Sequence, residues 1–377
     1  MSDLWIRHKA TEQNRSQLPV SSYFSEALFE QEKQLIFDVE PRYVGHELMV
    51  PSIGDYYTLP HENDGRVMIK TPDGIELLSN VCRHRQSVML RGRGNTQKNI
   101  VCPLHRWTYD LHGGLVGAPH FTENPCLNLK NYPLENWNGL IFTHSSTHSV
   151  SSALSQVADM EGVSFEGYVF DRVHIHECNY NWKTFIEVYL EDYHVGPFHP
   201  GLGSFVTCDD LKWKFGTHHS IQTVGIYKGL QQPGSKVYQR WHNELLRYRQ
   251  GVAPQFGAIW LTYFPTVMIE WYPHVLVVST LHPRSSNHTT NVVEFYYPEE
   301  IVAFERELVE AHQAAYLETC KEDDEIAHRM EQGRMALMQR GEDEYGPYQS
   351  PMEDGMKHFH DWYANMISRD LALASRI

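Results

Sequence analysis

The chain has 377 residues, with 47 acidic against 32 basic side chains and a formal net charge of −15 at pH 7. That length holds two ordinary domains with real cores, and the acidic balance argues against nucleic acid or an anionic membrane as partner. No apolar run reaches the ~18 residues of a spanning helix, and the opening MSDLWIRHKATEQNRSQLP lacks a signal-type apolar stretch, so a cytoplasmic protein is predicted.

Residues 21–38, SSYFSEALFEQEKQLIFD, put Phe24, Leu28, Gln31, Leu35 and Ile36 at helical spacing, with Ser21 or Ser22 able to cap. From about 40 to 150 the texture changes to short β-like runs. Among them are GLIFTH and RVMIKTPDGIELLSNV, the latter with an Asp73-Gly74 hairpin signal. The Ser-rich stretch 145–162 reads as a loop and marks a domain boundary. Beyond it come a strand, GYVFDRVHIHEC, a helix, NWKTFIEVYLEDYH, and three strands within 257–297 whose turn signals predict an antiparallel sheet. Glu299 to about Arg340 reads as one or two long amphipathic helices, and MKHFHDWYANMISRDLALA as a last one. The sum is an α+β protein with an N-terminal helical arm (1–38) packing on the second domain. A small all-β domain (39–150) follows, then a larger domain (151–377) with an antiparallel sheet flanked by helices.

Six cysteines stand at 82, 102, 126, 178, 208 and 320. Without an export signal, metal binding or burial is expected rather than disulfides. Cys126, Cys178, Cys208 and Cys320 have no ligand-like neighbours in sequence and read as core thiols. NVCRHRQSVML and IVCPLHRWTYDLHGGLVGAP differ, because Cys82 and His84, then Cys102 and His105, each give one thiolate and one imidazole per loop. Structural zinc sites usually take both cysteines from one knuckle and both histidines from another. One of each per loop suits a two-iron cluster, where one iron takes the thiolates and the other the imidazoles. Pro103 and the Gly113-Gly114 pair are read as letting backbone approach and donate N–H bonds to sulfide.

A second set lies in NWKTFIEVYLEDYHVGPFH, where His194 and His199 form H-x4-H beside Glu191 and Asp192. On a continuous helix a five-residue step turns about 140°, which would splay the pair. Gly196 and Pro197 between them predict a helix break that swings His199 back. Two histidines and a carboxylate with open positions are what a non-haem Fe(II) oxygenase requires. Alone, in a chain of 23 histidines, the spacing reads better as core or surface histidines than as metal ligands.

CRHR…CPLHRWTYDLHGGLVG resembles the Rieske motif of the aromatic-ring-hydroxylating oxygenases, in their terminal α subunits, with Gln86 and Arg106 where glycine is usual. NWK-x3-E-x6-H-x4-H resembles their catalytic motif, and EPRYVGHELMVPSIGDYYTL the opening of their Rieske domain, with Tyr43 for the usual tryptophan. The resemblance implies a [2Fe–2S] cluster on Cys82, His84, Cys102 and His105, and a helix-grip-like catalytic domain holding a mononuclear Fe(II) on His194, His199 and an aspartate. KEDDEIAHRMEQGR selects Asp323 for that aspartate, with Ile326 and Gly333 in register and Asp324 as the alternative. Glu191 takes the position of a carboxylate that bridges to a Rieske histidine of a neighbouring subunit, with Asp192 competing.

The resemblance further implies a homotrimer, dioxygen as co-substrate, and a ferredoxin or flavin-containing reductase drawing on NAD(P)H. No dinucleotide-binding glycine fingerprint stands out in the chain itself. The reaction implied is hydroxylation or oxidative demethylation of a small molecule. An aromatic compound is the first expectation, with Trp260, Tyr263, Phe264, Trp271 and Tyr272 clustered on the sheet either as core or as pocket wall. An aromatic acid would ask for an Arg or Lys in that pocket. An N-methylated or quaternary amine is the alternative, since Glu191 and EDGMKHFHDWY are similar to members that oxidise choline-, betaine- or carnitine-like amines. From another class, the chain reads as a Rieske electron carrier without oxygenase activity.

Overall fold

The computed structural model describes residues 18–157 and 160–374, with side chains to 368. The first part of the expected arm (1–17) and two residues of the Ser-rich segment therefore lie outside the described residues.

Three small antiparallel sheets form the N-terminal β region. One has the order 93–95, 55–58, 66–71, 74–79, 131–132, the second 99–101, 108–110, 115–117, and the third 43–46, 140–143, 134–137. The hairpin from Arg66–Thr71 to Gly74–Ser79 turns over Pro72-Asp73, with Gly74 (φ +147°) paired to Thr71, whose hydroxyl donates to the Gly74 carbonyl.

The second region is built on an antiparallel sheet of seven strands among the described residues. They are numbered β1 (Tyr168–Cys178), β2 (Val206–Phe215), β3 (His219–Ile226), β4 (Ala258–Tyr263), β5 (Val267–Tyr272), β6 (Val275–Ser285) and β7 (His288–Pro298), in the order β1-β7-β6-β5-β4-β3-β2. Its central strands are β-branched and aromatic runs buried on both faces. One face packs on the β region through Ile221, Leu261, Tyr263, Ile269 and Trp271 against Tyr43, Trp137 and Phe142. The opposite face packs on helices α3 (Lys236–Tyr248) and α4 (Arg306–Arg340) through Trp241, Leu245, Leu308 and Val309. Tyr43 also donates from its hydroxyl to buried Glu294 on β7 at 2.7 Å, so the residue that replaces tryptophan ties the two regions by a hydrogen bond.

Four sequence expectations are corrected here. The N-terminal helix α1 (Glu26–Glu32), which runs on into a wider helical turn over Lys33–Phe37, is capped by Ser25, which accepts from the Leu28 N–H at 3.2 Å, not by Ser21 or Ser22. The Ser-rich segment contains a helical turn, Val150–Ala153, capped by Ser149. The 257–297 stretch makes four strands rather than three, because a turn at Pro273-His274 splits its longest run, and His274 takes a left-handed φ of 62° that no turn pattern announced. Of the four presumed core thiols, Cys178 is buried, Cys126 is exposed and Cys208 and Cys320 are intermediate.

A buried ion pair fixes helix α2 (Trp182–Tyr189), which leads into the candidate site. Lys183 Nζ lies 2.5 Å from Glu32 Oε1, with both side chains essentially inaccessible. Trp182 Nε1 and the Tyr363 hydroxyl also donate to Glu32, joining α1, α2 and the last helix, α5 (Asp354–Ala374). Removing one member of such a pair strands the other charge in a dry core. Glu32→Ala is expected to lower unfolding stability by about 3–5 kcal/mol in urea titrations; a loss under about 1 kcal/mol would show that the pair does not hold the helix.

Candidate active site

The two Cys/His loops share one hydrogen-bond scheme. Cys82 N–H donates to the Ser87 carbonyl (2.9 Å) and Gln86 N–H to the Cys82 carbonyl (3.0 Å). In the other loop Cys102 N–H donates to Trp107 (2.8 Å) and Arg106 N–H to Cys102 (3.1 Å). That turn needs a left-handed residue four places after each cysteine, and Gln86 (φ 55°) and Arg106 (φ 62°) supply it. Where glycine is usual, these side chains accept a strain of about 1–2 kcal/mol each. The Cys82 and Cys102 thiols are near neighbours in one buried cluster, and the His84 and His105 rings lie 4.7 Å apart. His84 is stacked on buried Trp107 (5.0 Å, 7°), and its buried Nδ1 has no partner.

The donors thus sort into a thiol pair and an imidazole pair. Among the described residues they are not one of the groups tight enough for a single ion. That arrangement fits a two-iron cluster and not a tetrahedral zinc. The Tyr109 hydroxyl accepts from Arg83 N–H (3.1 Å) and lies 3.5 Å from Cys82 Sγ, so its own proton is free to bond the sulfur. Gly113 and Gly114 do not serve the sulfides as expected. Their N–H groups turn back on Asp110, where a Cβ on Gly114 would meet Asp110 Oδ2 at 2.7 Å.

His194, His199 and Asp323 come together. Nε2 of His194 lies 2.9 Å from Nε2 of His199, and Asp323 Oδ1 lies 3.5 Å and 3.0 Å from the two. The helix break that permits this lies earlier than expected. Helix α2 ends at Tyr189, and Gly196 and Pro197 sit inside a separate short turn, Val195–Phe198, flanked by the two histidines. Pro197 is tolerated there because first-turn N–H groups have no intrahelical acceptor anyway.

Asp323 and Asp324 are neighbours on α4, and a step of about 100° sends them to different places. Asp324 binds His176 Nε2 (2.8 Å) and the Tyr180 hydroxyl (2.8 Å), near Cys178. The triad has the electrostatics of a cation site. Burial alone would lower the His194 pKa, yet Asp323 and Glu191 push it up to about 10. Two further carboxylates hold the imidazoles from behind. Glu191 Oε1 is 2.5 Å from His194 Nδ1, without hydrogen-bond alignment, and Glu322 Oε2 is 2.7 Å from His199 Nδ1. Glu191 is half-buried. Asp192 is 3% exposed, takes a hydrogen bond from Gln222, and is pushed up to about 7 by burial and then by the charge of Glu191.

The triad opens on a partly enclosed cavity whose empty space, open solvent included, is about 710 Å³. Its walls are aromatic, with Tyr189, Tyr238, Trp241, Trp260, Tyr272 and Tyr316, and no Arg or Lys lines it among the described residues. The alternation of the strands decides which aromatics take part. Trp260 on β4 pairs with Glu270 on β5 and Tyr272 follows two residues on, so all three face the cavity, whereas Tyr263 and Trp271 face the opposite core and Phe264 packs against α5.

Glu270 is the residue that sequence reading missed. It is 2% exposed, accepts from the Tyr272 hydroxyl (2.9 Å) and the Tyr316 hydroxyl (3.0 Å), and is pushed up to about 7, chiefly by burial. A lone acid inside the apolar run VMIEWY was the available signal. His312, also on the wall, is held neutral by burial, with its pKa down to about 3.

These two donor sets on one fold define an oxygenase of the Rieske non-haem iron type. Residues 165–369 match the ring-hydroxylating alpha subunit catalytic domain and residues 43–133 the Rieske [2Fe–2S] domain, so the chain belongs to that family. The chain is 62% identical to a putrescine 2-hydroxylase of Ralstonia nicotianae over 94% of its own length and 96% of that protein. It is 24% identical to the carnitine monooxygenase oxygenase subunit of Escherichia coli, over 93% of each chain. In fold it is similar to a quaternary ammonium Rieske monooxygenase solved with L-carnitine (TM-score 0.74, 20% identity, 94% and 97% of the two chains). A naphthalene 1,2-dioxygenase solved with indole gives a TM-score of 0.71 at 18% identity, over 95% and 94%.

The protein is accordingly an enzyme with a Rieske cluster and a mononuclear iron, which sets aside the zinc and electron-carrier readings. Asp323→Asn is expected to remove most of the mononuclear iron and leave the two cluster irons, while Asp324→Asn keeps all three, as read by iron content and visible absorption. The reverse pattern would exchange their roles.

Proposed function

We propose that the protein hydroxylates a small aliphatic amine, putrescine or a close homologue, at iron held by His194, His199 and Asp323. Cys82, His84, Cys102 and His105 hold the cluster, and Glu191 is the bridging carboxylate. Bound at these residues, the metal centres supply electrons and dioxygen activation. The rest of this reading concerns what the chain's own side chains do.

The observation that carries the substrate class is Glu270. A carboxylate buried without a cation is costly, and an ammonium group entering the cavity removes that cost. Tyr272 and Tyr316 hold one lone pair of each oxygen, which leaves the others for the incoming N–H bonds. The ring faces of Trp241, Trp260 and Tyr189 suit a cation as well as they suit a hydrocarbon chain. The aromatic substrate first expected from the family resemblance gives way to the amine. An aromatic acid finds no basic partner on this wall, and a neutral arene would leave Glu270 unpaired. Glu294 is held by Tyr43 and Tyr296 in a similar way, but it lies in the core between the two regions, whereas Glu270 shares the cavity of the triad. The high identity to putrescine 2-hydroxylases of Ralstonia nicotianae and Bordetella bronchiseptica (62% and 58%) points the same way.

Glu191 is favoured over Asp192 as the bridge because it touches His194 and keeps some exposure, while Asp192 is buried. His105 and Leu104 are exposed at the cluster edge, beside exposed Phe121, which gives a reductase and a neighbouring subunit of a homotrimer a surface to approach. Electrons come from NAD(P)H through that separate reductase. No helix among the described residues is long and apolar enough to cross a membrane, in keeping with action in the cytoplasm on a soluble amine. The arm (1–38), Rieske domain (39–150) and catalytic domain (151–377) are the units of this reading.

Glu270→Gln is expected to raise the KM for putrescine about 100-fold with a smaller change in kcat, as loss of a charge that acts on binding should. A KM within about threefold of wild type would remove Glu270 from recognition. The ionised carboxylate is the binding form, so kcat/KM for the amine should fall about tenfold per unit as pH drops below about 7. The Gln variant should flatten that limb; an identical limb in the variant would assign it elsewhere.

A further inference from the structure

Resting on the amine reading, we propose that Asp192 is a second ammonium acceptor, so that the cavity reads both ends of a diamine, one at Glu270 and the other at Asp192.

Both carboxylates line the cavity of the triad, and both are almost fully buried, at 2% and 3% exposure. They stand apart for a reason built into the sheet. Gln222 on β3 is directly opposite Trp260 on β4, and Trp260 is directly opposite Glu270 on β5. The three share one face, and two strand spacings separate Gln222 from Glu270 by about 10 Å. Gln222 donates its side-chain amide to Asp192 Oδ2 and so fixes that carboxylate at the far end of the row. Asp192 Oδ1 takes no hydrogen bond among the described residues. No lysine or arginine lines the cavity there to neutralise either group.

Tyr189 lines the same cavity, and its hydroxyl is buried without a hydrogen-bond partner among the described residues. Its pKa is raised first by burial and then by the charges of Glu270 and Asp192.

The spacing sets the length of that chain. Four methylenes put two nitrogens roughly 6 Å apart, and hydrogen bonds of ~3 Å at each end extend the reach to roughly 12 Å, which an oblique approach shortens to the available span. On the same sum a three-carbon diamine spans roughly 11 Å and fits with less play, and a much longer one must buckle. A monoamine of equal length would set a methyl group against the buried charge of Asp192. Sites with buried polar groups reject analogues that leave them unpaired by large factors.

The test uses the holoenzyme with a reductase and compares kcat/KM for 1,4-diaminobutane and 1-aminobutane, with iron content and cluster absorption recorded for each variant. The wild type is expected to prefer the diamine by roughly 100-fold or more. Asp192→Asn should cut that preference below about tenfold by slowing the diamine while leaving 1-aminobutane within about threefold. Asp192→Glu keeps the charge on a longer arm and should move the preferred diamine from four carbons to three. If Asp192→Asn lowers both substrates alike and leaves the preference intact, or if Asp192→Glu leaves the length optimum at four, Asp192 acts through electron transfer or folding and the proposal is overturned. Activity on amines with no preference in the wild type overturns it as well. Should the wild type oxidise neither amine, the substrate class itself falls, and the two-ended reading falls with it.

Discussion

The structure turns on one electrostatic constraint. Two imidazoles and a carboxylate within hydrogen-bond distance of one another, at the mouth of an aromatic cavity, need a cation among them. Three separate pieces of chain must agree for that to happen. Helix α2 ends at Tyr189, a short turn carries Pro197 between the histidines, and α4 runs straight enough to bring Asp323 in from the far end of the sequence. Burial, the backing carboxylates Glu191 and Glu322, and the Lys183–Glu32 pair that holds α2 all serve that convergence. A divalent metal held by His194, His199 and Asp323 would draw these groups together.

The same sheet that carries the core also builds the binding site, through alternation alone. One face of β4 and β5 sends Ile259, Leu261, Ile269 and Trp271 into the core shared with the Rieske region, and the other sends Trp260, Glu270 and Tyr272 into the cavity. A strand cannot change one face independently of its register, so the position of the acid is as fixed as the fold. The result is a wall of aromatic rings with acids and, among the described residues, no lysine or arginine, which has the character of a receptor for a cation with a hydrocarbon body. The similarity to proteins named for putrescine and for carnitine is intelligible on that basis, since both names denote aliphatic molecules that carry positive nitrogen.

Much of this was legible in the residues. The two Cys/His loops could be read because one thiol and one imidazole per loop is an unusual division, and the structure pairs them accordingly. The hairpin was legible to within one residue of Asp73-Gly74, and the α+β division followed from hydrophobic texture. What escaped reading has physical reasons. The Pro273-His274 turn puts a histidine, not a glycine, in the left-handed region, so the usual glycine signal is missing from the sequence. Asp323 and Asp324 are adjacent, and only the orientation of α4 separates them, a property of packing and not of local pattern. Glu270 was hidden in an aromatic run where attention went to the rings, although a charge in a strand buried on both faces is itself the anomaly. Gly113 and Gly114 show the opposite error, where residues with a familiar role turned out to close a local turn on Asp110.

Direct analysis of the reaction tests the central claim that this cavity presents an aliphatic amine to activated oxygen. Turnover of 1,4-diaminobutane under isotopically labelled dioxygen, with products resolved by mass spectrometry, should yield the intact diamine carrying one labelled hydroxyl on a carbon, with no loss of ammonia. Recovery of unlabelled diamine alone from enzyme replete in both metal centres, alongside hydroxylation of an arene, would contradict the account.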